Sequence, residues 1–144
     1  DLCEHFGLEK IKTIGDAYMA AGGLNSTRSD HTIAIADFAL AMQAILHRDY
    51  RVNAAHMEIR IGISTGPVIA GVVGKHKFIY DVWGDTVNLA SRITSEGTPG
   101  TIHCDEGTQQ RLAAHFDFAT PQRINLKGKG EMTVYCLLGR KNAC

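Results

Sequence analysis

Tyr80-Asp81-Val82-Trp83-Gly84-Asp85-Thr86-Val87-Asn88-Leu89-Ala90-Ser91-Arg92 reads first as a strand and then as a helix. Phe78 to Trp83 is apolar apart from one carboxylate, and Asp85 is placed to cap a helix running to about Ser95 with Val87, Ala90 and Ile93 inward. Asn88 and Arg92 are one turn apart, so they share a face of that helix. An acid inside an apolar strand needs a partner, and for Asp81 an ion pair, an edge position facing water or a ligand would each serve. Asn88 and Arg92 could equally be solvated surface.

Working outward, the turn Gly74-Lys75-His76-Lys77 precedes this strand, and Val68 to Val73 is an apolar run of strand length. Met57, Ile59, Ile61 and Ile63 alternate with Glu58, Arg60 and Gly62, the period of a half-buried strand ended by Gly66-Pro67. Before it, Ser29 or Asp30 is placed to cap a helix whose apolar face is Ile35, Phe38, Met42, Ile45 and Leu46. Glu9 to Ala21 reads as a β-hairpin turning at Gly15-Asp16. Downstream, Thr101 to Cys104 reads as a strand, and Asp105 caps a helix to about His115. Leu126-Lys127-Gly128-Lys129-Gly130 turns between two late strands. The expected order is ββαββαβαββ, an α+β sheet domain with helices packed on one side.

The 144 residues make one domain, with 44% hydrophobic content sufficient for a core. Lys+Arg and Asp+Glu are both 15, so the chain lacks the broad basic field that holds nucleic acid or anionic membrane. No apolar run approaches the roughly 20 residues that span a bilayer. Cys3, Cys104, Cys136 and Cys144 show no metal-ligand spacing, which suits reduced thiols in a cytoplasmic setting.

Phosphate binding must then come from local placement. The glycines of Gly66 to Lys75 fail the P-loop pattern, because His76 follows Lys75, and the dinucleotide pattern G-x-G-x-x-G does not occur there. Those glycines read as turn formers between strands. Asp16 on a tight turn could bind a hard cation through oxygen, or could simply face solvent. Lys127-Gly128-Lys129-Gly130 offers cations and backbone N–H groups that suit phosphate, as they suit any hairpin.

Four blocks together resemble the class III adenylyl/guanylyl cyclase catalytic domain over practically the whole chain. They are Glu9 to Met19 (EKIKTIGDAYM), Arg60 to Val68 (RIGISTGPV), Tyr80 to Arg92, and Leu126 to Gly130. The resemblance implies a ferredoxin-like βαββαβ-type sheet. It also implies a role for each matched residue: Lys12 and Asp81 read the base, Asp16 holds metal, Asn88 orients the ribose, Arg92 stabilises charge on the α-phosphate, and Lys127 binds the terminal phosphates. Lysine only donates and ionised aspartate only accepts, which matches the N1 acceptor and N6 donor of adenine. Guanylyl members resemble this pattern with an acid in place of Lys12, so ATP is the expected substrate and 3′,5′-cyclic AMP the product.

Two Mg²⁺ or Mn²⁺ ions per site are implied, together with a head-to-tail homodimer whose sites lie at the interface. The family's other metal aspartate sits in a strand-turn resembling F-x-D-[IL]-x-G-F-T upstream of the Lys12 block. The expectation is that this first strand segment is missing, and that the fragment alone turns over ATP poorly or not at all. A guanylyl cyclase and an inactive nucleotide-binding regulatory subunit are the alternatives. No direct membrane insertion by this segment is expected, although the parent protein could be membrane-anchored.

Overall fold

Along the strand Ile102-His103-Cys104 all three side chains are buried, although successive residues point to opposite faces. That strand must therefore be covered on both sides. The computed structural model, which describes residues 8–14, 17–23, 31–50, 59–75, 79–126 and 130–141, shows what covers it. The order is β1 (Glu9–Ile14), β2 (Ala17–Ala21), α1 (His31–Tyr50), β3 (Ile61–Ile63), β4 (Ile69–Val73), β5 (Ile79–Trp83), α2 (Asp85–Glu96), β6 (Ile102–Cys104), α3 (Glu106–Leu112), β7 (Phe116–Phe118), β8 (Gln122–Leu126) and β9 (Gly130–Arg140).

A five-stranded sheet runs β3-β6-β9-β7, with β8 also pairing with β9. The β3–β6 pair is parallel and the β9 pairings are antiparallel, so the sheet is mixed. Two further hairpins, β1–β2 and β4–β5, pair antiparallel. In the first, Ile14 lies opposite Ala17, and the intervening Gly15 and Asp16 fall outside the described residues.

The main core joins Ala36 and Ala39 of α1 and Leu112 of α3 to Ile63, Ile102, Cys104, Phe116 and Leu137 of the sheet. Leu8, Ala34 and Phe38 form a second cluster, through which α1 also touches the first hairpin. The alternate residues face α2. A Cβ on Gly62 would lie 2.6 Å from the Ala90 carbonyl oxygen and 2.7 Å from the Thr94 amide, so only glycine lets helix and strand approach this closely.

The α+β reading holds, while the placement of the helices is corrected. Packing on one face applies to α1 and α3, whereas α2 covers the other, because Ile61 and Ile63 belong to the main core and Gly62 turns away from it. Between α1 and α2 the three segments read as strand-like, around Ile61, Val68 to Val73 and Phe78 to Trp83, are three separate strands, one more than the expected order counts there. The order also gains β7, whose Phe-Asp-Phe buries Phe116 and partly buries Phe118. The N-cap of α2 is Gly84 at φ 132° with no side-chain cap, and Asp85 is the first helical residue. Asp105 does cap α3, its side chain accepting from the Thr108 amide, but that helix ends at Leu112 rather than His115. Ser29 and Asp30, the expected caps of α1, lie outside the described residues.

Candidate active site

Strand β5 and helix α2 form one continuous unit that carries three of the predicted residues. Asp81 sits in mid-strand opposite Gly71 of β4 and is half-buried. Its Oδ1 accepts a hydrogen bond from the Val82 amide at 2.8 Å, which sets the plane of the carboxylate. Val82 itself is buried, so the backbone that holds Asp81 is anchored. Gly84 then ends the strand, and the Asn88 amide donates to the Gly84 carbonyl at 3.1 Å, closing the first turn of α2. Asn88 is exposed and Arg92, one turn further on, is half-buried. Ile93, the next residue, is fully buried, which fixes the rotation of the helix.

Lys12 lies on β1 opposite Met19, and β1 approaches within 8 Å of β5 between Cα atoms. The fold thus brings together the two strands that carry Lys12 and Asp81. The side chain of Lys12, and Asp16 and Lys127 altogether, fall outside the described residues. Among the described residues no three His, Cys, Asp or Glu side chains are grouped so as to hold a metal. Asp16, the carboxylate expected to hold metal, lies outside them; a hard carboxylate in general suits a divalent cation that keeps several of its ligands as water or phosphate.

A polar network absent from the sequence reading braces the loop between β3 and β4. The buried Asp105 accepts from the Thr108 amide at 3.0 Å, from the Thr108 hydroxyl at 2.5 Å and from the Ser64 hydroxyl at 3.3 Å. Thr65 and Thr108 share a hydrogen bond at 2.7 Å. On the far side of the loop the Thr86 hydroxyl donates to the Pro67 carbonyl at 2.8 Å. Asp105 was legible only as a helix cap; that its other oxygen holds Ser64, far away in sequence, has no local signal.

Two titratable groups near the sheet centre take no part in this site. Burial, with help from Asp105 and Cys136, pushes the Cys104 thiol up to about 12, so it stays protonated and is no nucleophile. Burial lowers the pKa of His103, whose Nδ1 lies 3.2 Å from the Thr101 hydroxyl. Because that hydroxyl is committed to the Thr98 carbonyl at 2.5 Å, Nδ1 carries the proton and donates.

The family model described as the Adenylate and Guanylate cyclase catalytic domain matches residues 1–139. An adenylate cyclase of Mycobacterium tuberculosis is 45% identical over 143 residues, which is 99% of this chain and 32% of that protein. The chain thus spans about a third of that relative's length. Among solved structures, the guanylate cyclase domain of RhGC from Catenaria anguillulae, in complex with GTP, has a TM-score of 0.87 at 33% identity. The match covers 97% of this chain and 77% of that one. The catalytic core of a rhodopsin-guanylyl cyclase with converted specificity, in complex with ATPαS, has a TM-score of 0.87 at 36% identity, covering 96% of this chain and 76% of that one.

Proposed function

The chain belongs to the adenylate and guanylate cyclase catalytic-domain family, and on that premise we propose that the full-length protein is an adenylyl cyclase, converting ATP to 3′,5′-cyclic AMP and pyrophosphate. The observation that carries this reading is the single β5–Gly84–α2 unit, which bears Asp81, Asn88 and Arg92 and lies beside the strand bearing Lys12.

Lys12 donates to N1 of adenine and Asp81 accepts from its N6 amino group; guanine offers an acceptor where adenine has that donor. Asn88 holds the ribose so that its 3′-oxygen lies in line with the α-phosphorus and the departing pyrophosphate. Arg92 meets the charge that builds on the α-phosphate oxygens, a preorganised donor of the kind worth about 2–4 kcal/mol in the transition state. Lys127 draws the terminal phosphates. Mg²⁺ or Mn²⁺, for which Asp16 is the available carboxylate, would acidify the 3′-hydroxyl and neutralise the phosphate tail when bound. No covalent enzyme intermediate is required, since positioning and electrostatics carry phosphoryl chemistry.

The β4–β5 hairpin supports assembly with a second copy. Ile69 and Trp83 lie directly opposite one another on it at 59% and 40% exposure, and Val72 is 62% exposed. Apolar residues paired on an open hairpin favour burial against another surface, and a head-to-tail homodimer would supply one.

A guanylyl cyclase is the second reading, favoured by the fold shared with a domain that holds GTP. Turnover of ATP and GTP by the full-length protein, before and after the double exchange Lys12→Glu with Asp81→Cys, separates the two. ATP use is expected to dominate at first and then to fall by more than GTP use, because each exchange leaves adenine a mismatched partner. Dominant GTP turnover by the unaltered protein, or a discrimination ratio unmoved by the exchange, refutes the adenylyl assignment.

A further inference from the structure

Helix α2 carries Asn88 and Arg92, yet its N-terminus has no side-chain cap. Without a side-chain cap the first amides of the helix gain nothing from their own N-cap residue, and any shift of this end would move Asn88, which is in the first turn. Something else must hold this end. The Thr86 hydroxyl lies 2.8 Å from the Pro67 carbonyl oxygen. Residues two apart on a helix point to nearly opposite sides, so Thr86 grips the β3–β4 loop while Asn88 faces away from it.

The loop in turn is braced by hydrogen bonds. Its first residues, Ser64 and Thr65, are tied to Asp105 and Thr108 at the start of α3, and those two are 8% and 0% exposed. Gly66 completes the fit. A Cβ there would stand 2.6 Å from the Thr86 Oγ1, a separation that real Cβ atoms do not show, but 3.7 Å from the Thr86 Cβ, which is ordinary contact. Gly66 is therefore present to make room for one hydroxyl.

We propose that Thr86 is a positioning residue for nucleotide cyclisation: its hydroxyl latches the uncapped end of α2 to the braced loop, and so sets the placement of Asn88 and Arg92. The inference rests on the roles given to those two residues under the proposed function. Removing the latch costs turnover rather than nucleotide affinity, because a small misplacement of groups that act on the transition state lowers kcat while ground-state contacts made from β1 and β5 persist.

The test uses the full-length protein with Thr86→Ala, Thr86→Ser, Gly66→Ala and the double variant Thr86→Ala with Gly66→Ala, alongside Arg92→Ala. Alanine favours helix more than threonine does, so Thr86→Ala does not weaken α2 through propensity. Thr86→Ala and Gly66→Ala are each expected to lower kcat about tenfold with KM changed no more than about twofold, and Thr86→Ser to stay within about twofold of the original. The double variant should be no worse than Thr86→Ala alone, because the added methyl then has room. Unchanged kcat in Thr86→Ala, failure of serine to rescue, or losses that multiply in the double variant overturns the latch. Turnover measured per folded molecule, with melting followed in parallel, keeps a folding defect from counting as support. Arg92→Ala separates the two levels: if it is fully active the proposed function falls, whereas if it collapses while Thr86→Ala is unaffected only the latch falls.

Discussion

The face of the sheet beneath α1 and α3 and the β4–β5 hairpin contain similar residues in opposite circumstances. Beneath the helices Ile102 and Phe116 are at most 1% exposed, whereas on the hairpin Ile69 and Val72 are more than half exposed. Sequence hydrophobicity does not distinguish them. The first region stores the stability of the domain, and the second keeps apolar surface available at the strand pair that carries Asp81.

The sharpest break in this comparison is Phe116→Ala. Phe116 is 1% exposed and carries the Arg140 guanidinium 5.2 Å over its ring, while Arg140 makes a two-point ion pair with Asp37 at 2.8 and 2.6 Å. Its removal is expected to cost about 3–5 kcal/mol in urea unfolding. A cost below about 1 kcal/mol would mean that the sealed face is not where stability resides.

A smaller effect should come from acid. Burial holds the His103 pKa below its ordinary value of 6.5, so below that pH the unfolded chain takes up a proton that the folded one refuses. The unfolded state then binds more protons, and stability falls with pH from about 6.5 down to the folded pKa, below which this contribution is flat. Melting of His103→Gln between pH 7.5 and 5.5 should depend on pH less steeply than melting of the unaltered protein. An equal or steeper slope would show that His103 accepts its proton without penalty.

The smallest effect on stability is expected at the hairpin. Val72→Ser should change the unfolding free energy by no more than about 0.5 kcal/mol, since the side chain is already largely in water. The same exchange should weaken self-association of the full-length protein in sedimentation. A large loss of stability without a change in association would place Val72 among core residues and erase the contrast.

Much of the site was legible because its residues are close in sequence. Asp81, Asn88 and Arg92 lie on one strand-turn-helix unit, and the apolar strand followed by the i, i+4 spacing orders them without tertiary information. The β1–β2 hairpin was legible for the same reason. By contrast β7 was passed over, since three residues are too few for a period to show. The cap of α2 was assigned to Asp85 because an acid before a helix is the usual signal, whereas the chain there uses Gly84 and a threonine that bonds outward.

The amino-acid sequence by itself determined most of the elements, the order of Asp81, Asn88 and Arg92 along one strand and helix, and the family, because these depend on residue type and short spacing. Only the tertiary structure decided that α2 lies across the sheet from α1 and α3, that β1 approaches β5, and that Asp105 and Thr86 hold the two ends of one loop. The reason is physical. A strand's alternation offers two faces without saying which helix takes each, and Gly62 made that choice by leaving space for Ala90 and Thr94. Such a choice depends on which surfaces fit once all are folded, and a hydrogen bond between residues far apart along the chain leaves no trace in the local pattern of either.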